Sequence, residues 1–170
     1  AYVFDRVTGK PVWPIEERPV AQSDTPGEWT SPTQPFPTKP PAFDRQGVSK
    51  DDLIDFTPEM RQSALQAIEG FRIGPLYTPP SLTNAPGGTK GTIALPGSTG
   101  GANWESGAAD PETGFVYVGS QTRPTIYSLS KPTGSDMDFA LGGGAVPRVD
   151  GLPLLKPPYG DRKSTRLNSS

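Results

Sequence analysis

The sequence contains neither cysteine nor histidine among its 170 residues. Without cysteine the chain can form no disulfide and no thiolate metal site. Without histidine it lacks the commonest general base, so any proton transfer must use Asp, Glu, Lys or Tyr. No apolar run approaches the roughly 20 residues that a membrane-spanning helix needs. The formal net charge of −2 argues against a nucleic-acid partner and against a polybasic membrane anchor.

Proline and glycine, by contrast, are abundant, with 22 and 20 residues that together make up about a quarter of the chain. That share is near the level at which disorder is expected. However, seven Phe, five Tyr and three Trp are spaced among turn signals, and the net charge is small. The composition therefore favours an all-β protein with long loops that proline stiffens.

Two hairpin turns share one pattern, Asp-x-x-Thr-Gly, at 5–9 and 110–114. In the second turn Asp110 can accept a hydrogen bond from the backbone, and Gly114 can take a positive φ. The apolar run Phe115–Val118 then predicts a strand buried on both faces. The two copies indicate either a structural repeat with an insertion between its members or two unrelated uses of a common turn.

The insertion between the turns begins with residues 14–41, where a proline every few positions predicts an extended loop without helices or central strands. Ser49 is then expected to cap a short helical turn, with the acids Asp51 and Asp52 in solvent near its positive end. Thr57, followed by proline and glutamate, predicts the start of a longer helix with an apolar stripe.

Later segments carry weaker signals. Residues 91–97 predict a short buried strand, residues 120–124 a loop, and residues 125–129 a weaker strand. Residues 137–159 predict no definite element. The final segment, 161–170, differs in character from the rest and resembles the translation of a common sequencing-library adapter. We therefore expect a partial domain over 1–160 and a non-native tail over 161–170.

Several segments carry a resemblance to a known family. They are Tyr2–Pro14, Pro32–Phe36 with Pro40–Pro41, Leu76–Ser81, and Gly101–Trp104 with Asp110–Pro111. Over residues 1–122 the chain resembles quinoprotein dehydrogenases, and most of all the membrane-type glucose dehydrogenases that use pyrroloquinoline quinone (PQQ). The resemblance implies an eight-bladed β-propeller, of which this chain would be an internal fragment with about two blades and a Pro-rich, partly helical insertion.

The resemblance also implies a cofactor site. In related quinoproteins an Asn–Trp pair contacts PQQ, which assigns cofactor binding to Asn103 and Trp104. An amide can donate to a carboxylate or quinone oxygen, and an indole offers an N–H group and a flat face. The alternative is a turn Asn and a Trp that packs between blades. Residues 119–122 are a further candidate contact, although Gly119 stands where some relatives have Asn.

The expected activity follows from the same resemblance. The full-length parent would be a periplasmic dehydrogenase, with an inner-membrane anchor expected in a missing N-terminal segment. It would oxidise a glucose-like sugar or an alcohol and pass electrons to ubiquinone or a cytochrome. The catalytic Asp and the Ca²⁺ ligands are expected outside this chain, so the fragment alone should be inactive. The alternative is a non-enzymatic propeller that serves as a scaffold or binding module.

Overall fold

The computed structural model describes residues 1–83, 86–103 and 107–166, whose regular secondary structure is mostly strands, with one short α-helix. No helix in these ranges is long and apolar enough to cross a membrane. The described strands are β1 Ile15–Pro19, β2 Thr33–Pro37, β3 Ser81–Leu82, β4 Thr92–Ala94, β5 Gly107–Asp110, β6 Phe115–Gln121, β7 Thr125–Ser130, β8 Ala140–Gly144, β9 Arg148–Val149, β10 Leu152–Pro153 and β11 Gly160–Arg166.

β1 and β2 form an antiparallel two-stranded ribbon inside the proline-rich segment. The segment is extended, and both strands of a two-stranded ribbon are edges, so the structure agrees with the prediction of no helix and no central strand, although the pairing itself was not predicted. Thr38 donates its N–H to the Pro14 carbonyl at 3.0 Å. Because backbone N–H groups alternate in direction along a strand, those of Phe36 and Gln34 also point toward β1. Pro35 and Pro37 occupy the intervening positions, where an N–H would point away from β1. Proline is compatible with this ribbon because it removes no hydrogen bond between the two strands.

β7 is the central strand of a four-stranded sheet, which is more than its weak sequence signal suggests. β8 pairs antiparallel with one edge of β7. The other edge is shared, with β4 antiparallel beside Thr125–Tyr127 and β3 parallel beside Ser128 and Leu129. The prediction of a buried strand within 91–97 is confirmed, since Thr92 and Ile93 of β4 are each 1% exposed.

β6 is the middle strand of a second sheet, in the order β11-β6-β5. It continues to Gln121, so the predicted loop at 120–124 begins two residues too early. The expectation of burial on both faces is also wrong: Phe115, Val116 and Val118 are only half-buried and Tyr117 is exposed. In a three-stranded sheet the two faces are covered only where other elements lie against them. β11 pairs with β6 over residues 160–166, and the non-native origin of 161–170 stays a prediction.

Both Asp-x-x-Thr-Gly turns adopt the same local structure. The Asp5 carboxylate accepts from the N–H and the hydroxyl of Thr8, and the Asp110 carboxylate does the same with Thr113. These hydrogen bonds lower the pKa of both carboxyls below the usual range, and the bond from the threonine hydroxyl has the largest effect. The two turn glycines have φ of +69° and +72°. Whether the turns mark a true repeat stays a prediction.

The helical part of the insertion agrees with the sequence. A single-turn 3-10 helix covers Lys50–Asp52, and the α-helix α1 covers Pro58–Ala67. The Thr57 hydroxyl caps α1 by accepting from the N–H of Met60 at 3.2 Å. The apolar stripe of α1 faces inward, with Ala64 and Ile68 buried in the core.

The core lies between this insertion and the segment 148–156, for which the sequence predicts no element. Leu154 and Leu155 are each 1% exposed, and they pack with Leu53 and Ile54, which are fully buried. Ile54 donates its N–H to the Leu154 carbonyl at 2.9 Å. The missed segment is thus a main partner of the insertion, although it contains only the two-residue strands β9 and β10.

Candidate functional site

The loop that precedes β5 carries the predicted cofactor contacts. Gly100 donates its N–H to the Gly97 carbonyl at 2.9 Å and has a φ of +69°, a conformation that favours glycine. Asn103 is exposed at the end of this turn. Trp104 lies outside the described residues. The structure therefore shows Asn103 as an exposed residue, and its contact with a cofactor stays a prediction.

The loop lies beside the C-terminal end of β6. Gln121 donates its N–H to the Gly101 carbonyl at 2.7 Å, and Gly101 is buried by this approach. Ser120, only 6% exposed, lies within hydrogen-bond distance of the Phe43 carbonyl, with its hydroxyl as donor at 3.4 Å. The structure thus brings the candidate segment 119–122 next to the loop that ends in Asn103.

A third segment, 43–45, lies behind the same loop and was not predicted from the sequence. A Cβ atom at Gly101 would overlap the carboxyl of Asp44, so the loop backbone lies directly against this side chain. The Oδ1 atom of Asp44 accepts from the N–H of Arg45 at 2.7 Å. No sequence signal identifies Asp44, because the contact joins residues 57 positions apart and depends on the absence of a side chain at Gly101.

Arg45 anchors this segment to the core. Its guanidinium donates to the Lys156 carbonyl and to the Asp52 carboxylate, each at 2.8 Å. The Asp52 carboxylate also accepts from the N–H and the hydroxyl of Ser49, at 2.7 and 2.6 Å. Burial raises the pKa of Asp52, but the hydrogen bonds from Ser49 and Arg45 outweigh it, and the net pKa is lowered. Asp52 is therefore not the purely solvated acid that the sequence predicts, whereas Asp51 is exposed.

The described residues contain no cluster of three or more Asp, Glu, His or Cys side chains that could hold a metal ion. The carboxylates near the loop accept hydrogen bonds from different partners: Asp44 from the N–H of Arg45, and Asp110 from the Thr113 hydroxyl of its own turn. What the described part of the loop presents outward is a neutral amide on a glycine-rich backbone. Such a surface suits hydrogen bonding to an anionic or quinone oxygen.

Comparison with known proteins gives a consistent family. A family model described as "PQQ: Glucose/ethanol/alcohol dehydrogenase, beta-propeller domain" matches residues 1–170. The quinate/shikimate dehydrogenase (quinone) of Acinetobacter baylyi is 33% identical over 94% of the chain and 22% of its own length. The glycerol dehydrogenase large subunit of Gluconobacter thailandicus is 30% identical over 95% of the chain and 23% of its own length. The quinoprotein glucose dehydrogenase of Escherichia coli is 27% identical over 99% of the chain and 18% of its own length.

The chain spans about a fifth of the length of these curated relatives. No solved structure is significantly similar to it. The family match covers the whole chain, and the strand-rich fold agrees with a propeller domain, although the two larger sheets do not close on each other among the described residues. The chain therefore belongs to the PQQ-dependent quinoprotein dehydrogenases and is part of their β-propeller domain.

Proposed function

We propose that the full-length parent is a PQQ- and Ca²⁺-dependent dehydrogenase that oxidises a hydroxyl group of a sugar, polyol or related alcohol and passes the electrons to a quinone or a cytochrome. The observation that carries this proposal is the exposed amide of Asn103 on a loop held against β6, within a chain that matches the quinoprotein family throughout. The named relatives act on quinate or shikimate, glycerol and glucose, which are all polyhydroxylated.

The residues of this chain fit one side of such a cofactor site. PQQ is a flat orthoquinone with three carboxylates, and when bound it supplies the electron acceptor for alcohol oxidation. The Asn103 amide can donate to one of its oxygens, and Trp104 is proposed to offer its ring face or N–H. Gly119 adds no side chain next to the loop. We infer that this chain binds and orients the cofactor, while the catalytic Asp and the Ca²⁺ ligands come from elsewhere in the parent.

Three further parts of the proposal rest on the resemblance alone. They are a periplasmic location, an inner-membrane anchor outside this chain, and the transfer of electrons to ubiquinone or a cytochrome; the glucose-like substrate that the resemblance implies is not retained in the proposal. The identities to the quinate, glycerol and glucose enzymes differ by only a few percentage points, from 27 to 33%. The substrate is therefore proposed only as a polyhydroxylated alcohol or sugar.

The test uses the full-length parent, recovered by extending the source gene in both directions. The apoprotein is titrated with PQQ, with tryptophan fluorescence as the readout, and dye reduction is measured with quinate, glycerol and glucose in the presence of Ca²⁺. We expect Asn103→Ala to weaken PQQ binding by about tenfold or more, since an amide-to-carboxylate hydrogen bond is lost. Gln66→Ala removes an exposed amide from α1 and is the matched control, expected to bind PQQ like the wild type.

Unchanged PQQ affinity of Asn103→Ala would make Asn103 a turn residue only. A wild-type parent that binds no PQQ and oxidises none of the three alcohols would contradict the enzyme assignment and favour a scaffold.

A further inference from the structure

The buried contact between Gly101 and Asp44 goes beyond the contacts that the family resemblance implies. The Asp44 carboxyl fills the space that a side chain at Gly101 would need. Its Oδ2 atom has almost no solvent-accessible surface. Its Oδ1 atom is fixed by the N–H of Arg45, so the carboxyl is held in one orientation against the loop.

Asp44 is itself held from two sides. Arg45 is bound to the Lys156 carbonyl and the Asp52 carboxylate, which ties the segment to the buried core. On the preceding residue, the Phe43 carbonyl lies within reach of the Ser120 hydroxyl of β6. The backbone on both sides of Asp44 is therefore tied to other parts of the molecule, through Arg45 to the core and through Phe43 to β6.

At Gly101 the loop lies between the Asp44 carboxyl and β6. The Gly101 carbonyl accepts from the N–H of Gln121 at 2.7 Å on one side, and the Gly101 Cα lies against Asp44 on the other. Asn103 follows two residues later, so the position of its amide depends on how Gly101 is held between Asp44 and β6. A displacement of about 1 Å is enough to impair a positioned polar group.

We propose that Asp44 is a positioning residue for the cofactor-binding loop: it fixes Gly101 against β6 and thereby places the Asn103 amide toward PQQ. This inference rests on the proposed function of Asn103. Asp44 does not contact the cofactor. Its loss should release the loop locally and leave the fold intact, because the core contacts of Arg45 with Lys156 and Asp52 use the guanidinium and not the Asp44 carboxyl.

The experiment compares Asp44→Ala with Asp51→Ala in the full-length parent. Asp51 is an exposed acid seven positions away and is the matched control. We expect Asp44→Ala to weaken PQQ binding by about tenfold, because Gly101 loses the side chain against which it packs, and Asp51→Ala to have no effect. In the apoprotein, hydrogen exchange should become faster at 100–103 in Asp44→Ala, while the Ile54 amide keeps its wild-type rate.

Wild-type PQQ affinity in Asp44→Ala would overturn the proposal. So would faster exchange at Ile54 to the same degree as at 100–103, because Asp44 would then support the fold in general. The Asn103→Ala variant distinguishes failure of the positioning role from failure of the proposed function. If Asn103→Ala binds PQQ normally, the proposed function of Asn103 fails; if it binds weakly while Asp44→Ala binds normally, only the positioning role fails.

Discussion

The Asp52 carboxylate should stabilise the junction between the insertion and the segment 148–156, and the perturbation that tests this is Asp52→Ala. The substitution removes an ion pair to Arg45 at 2.8 Å and two hydrogen bonds from Ser49. Hydrogen bonds to charged groups contribute about 1.5–3 kcal/mol each, but the Asp52 side chain is 30% exposed, so solvent screening reduces the sum. We expect a loss of roughly 2 kcal/mol in the local stability of this junction.

Two amides report on the junction directly. Ile54 donates to the Leu154 carbonyl, and Lys156 donates to the Asp52 carbonyl, each at 2.9 Å. In the parent protein, native-state hydrogen exchange at both amides should become about 30-fold faster in Asp52→Ala, which corresponds to about 2 kcal/mol. Asp51→Ala is the control, with an expected change below about twofold because Asp51 is exposed. Equal effects of the two substitutions, or none in Asp52→Ala, would refute this account of the junction.

Two further predictions concern the same region. Leu155→Ala should destabilise the protein by about 2–5 kcal/mol, since Leu155 is 1% exposed, whereas Leu152→Ala at a 39% exposed position should cost under about 1 kcal/mol; urea unfolding of the parent and its variants would measure both, and similar midpoints would contradict the burial argument. Because the pKa of Asp52 is lowered in the folded state, its contribution is fully present above about pH 4 and is lost as the pH falls through the folded pKa. Protection of the Ile54 amide, corrected for the intrinsic exchange rate, should decrease over that range in the wild type but not in Asp52→Ala, and an equal decrease in both would assign the effect to other groups.

The sequence predicts those elements whose signals are local. Thr57 and the proline after it determine the start of α1, and the Asp110 turn determines the hairpin of β5 and β6. These structures depend on residues within a few positions of one another, so their pattern can be read directly.

The elements that the sequence does not predict depend on distant partners. Residues 148–156 form little regular structure and become part of the core only because Leu53 and Ile54, a hundred positions earlier, lie against them. The proposed role of Asp44 cannot be predicted from the sequence either, since it depends on the close approach of Gly101. The Asn103 and Trp104 assignments came from family resemblance and not from any local pattern, and they stay predictions.

The alternation of proline in β2 has a consequence for association between chains. At Pro35 and Pro37 two outward-facing positions of β2 have no N–H to offer, so the outer edge of β2 is a poor template for another strand. The outer edge of β8 contains Gly142–Gly144 and no proline, and it keeps its full set of donors and acceptors. Edge-to-edge pairing, with another part of the parent or with a second molecule, is therefore disfavoured at the outer edge of β2 and permitted at the outer edge of β8.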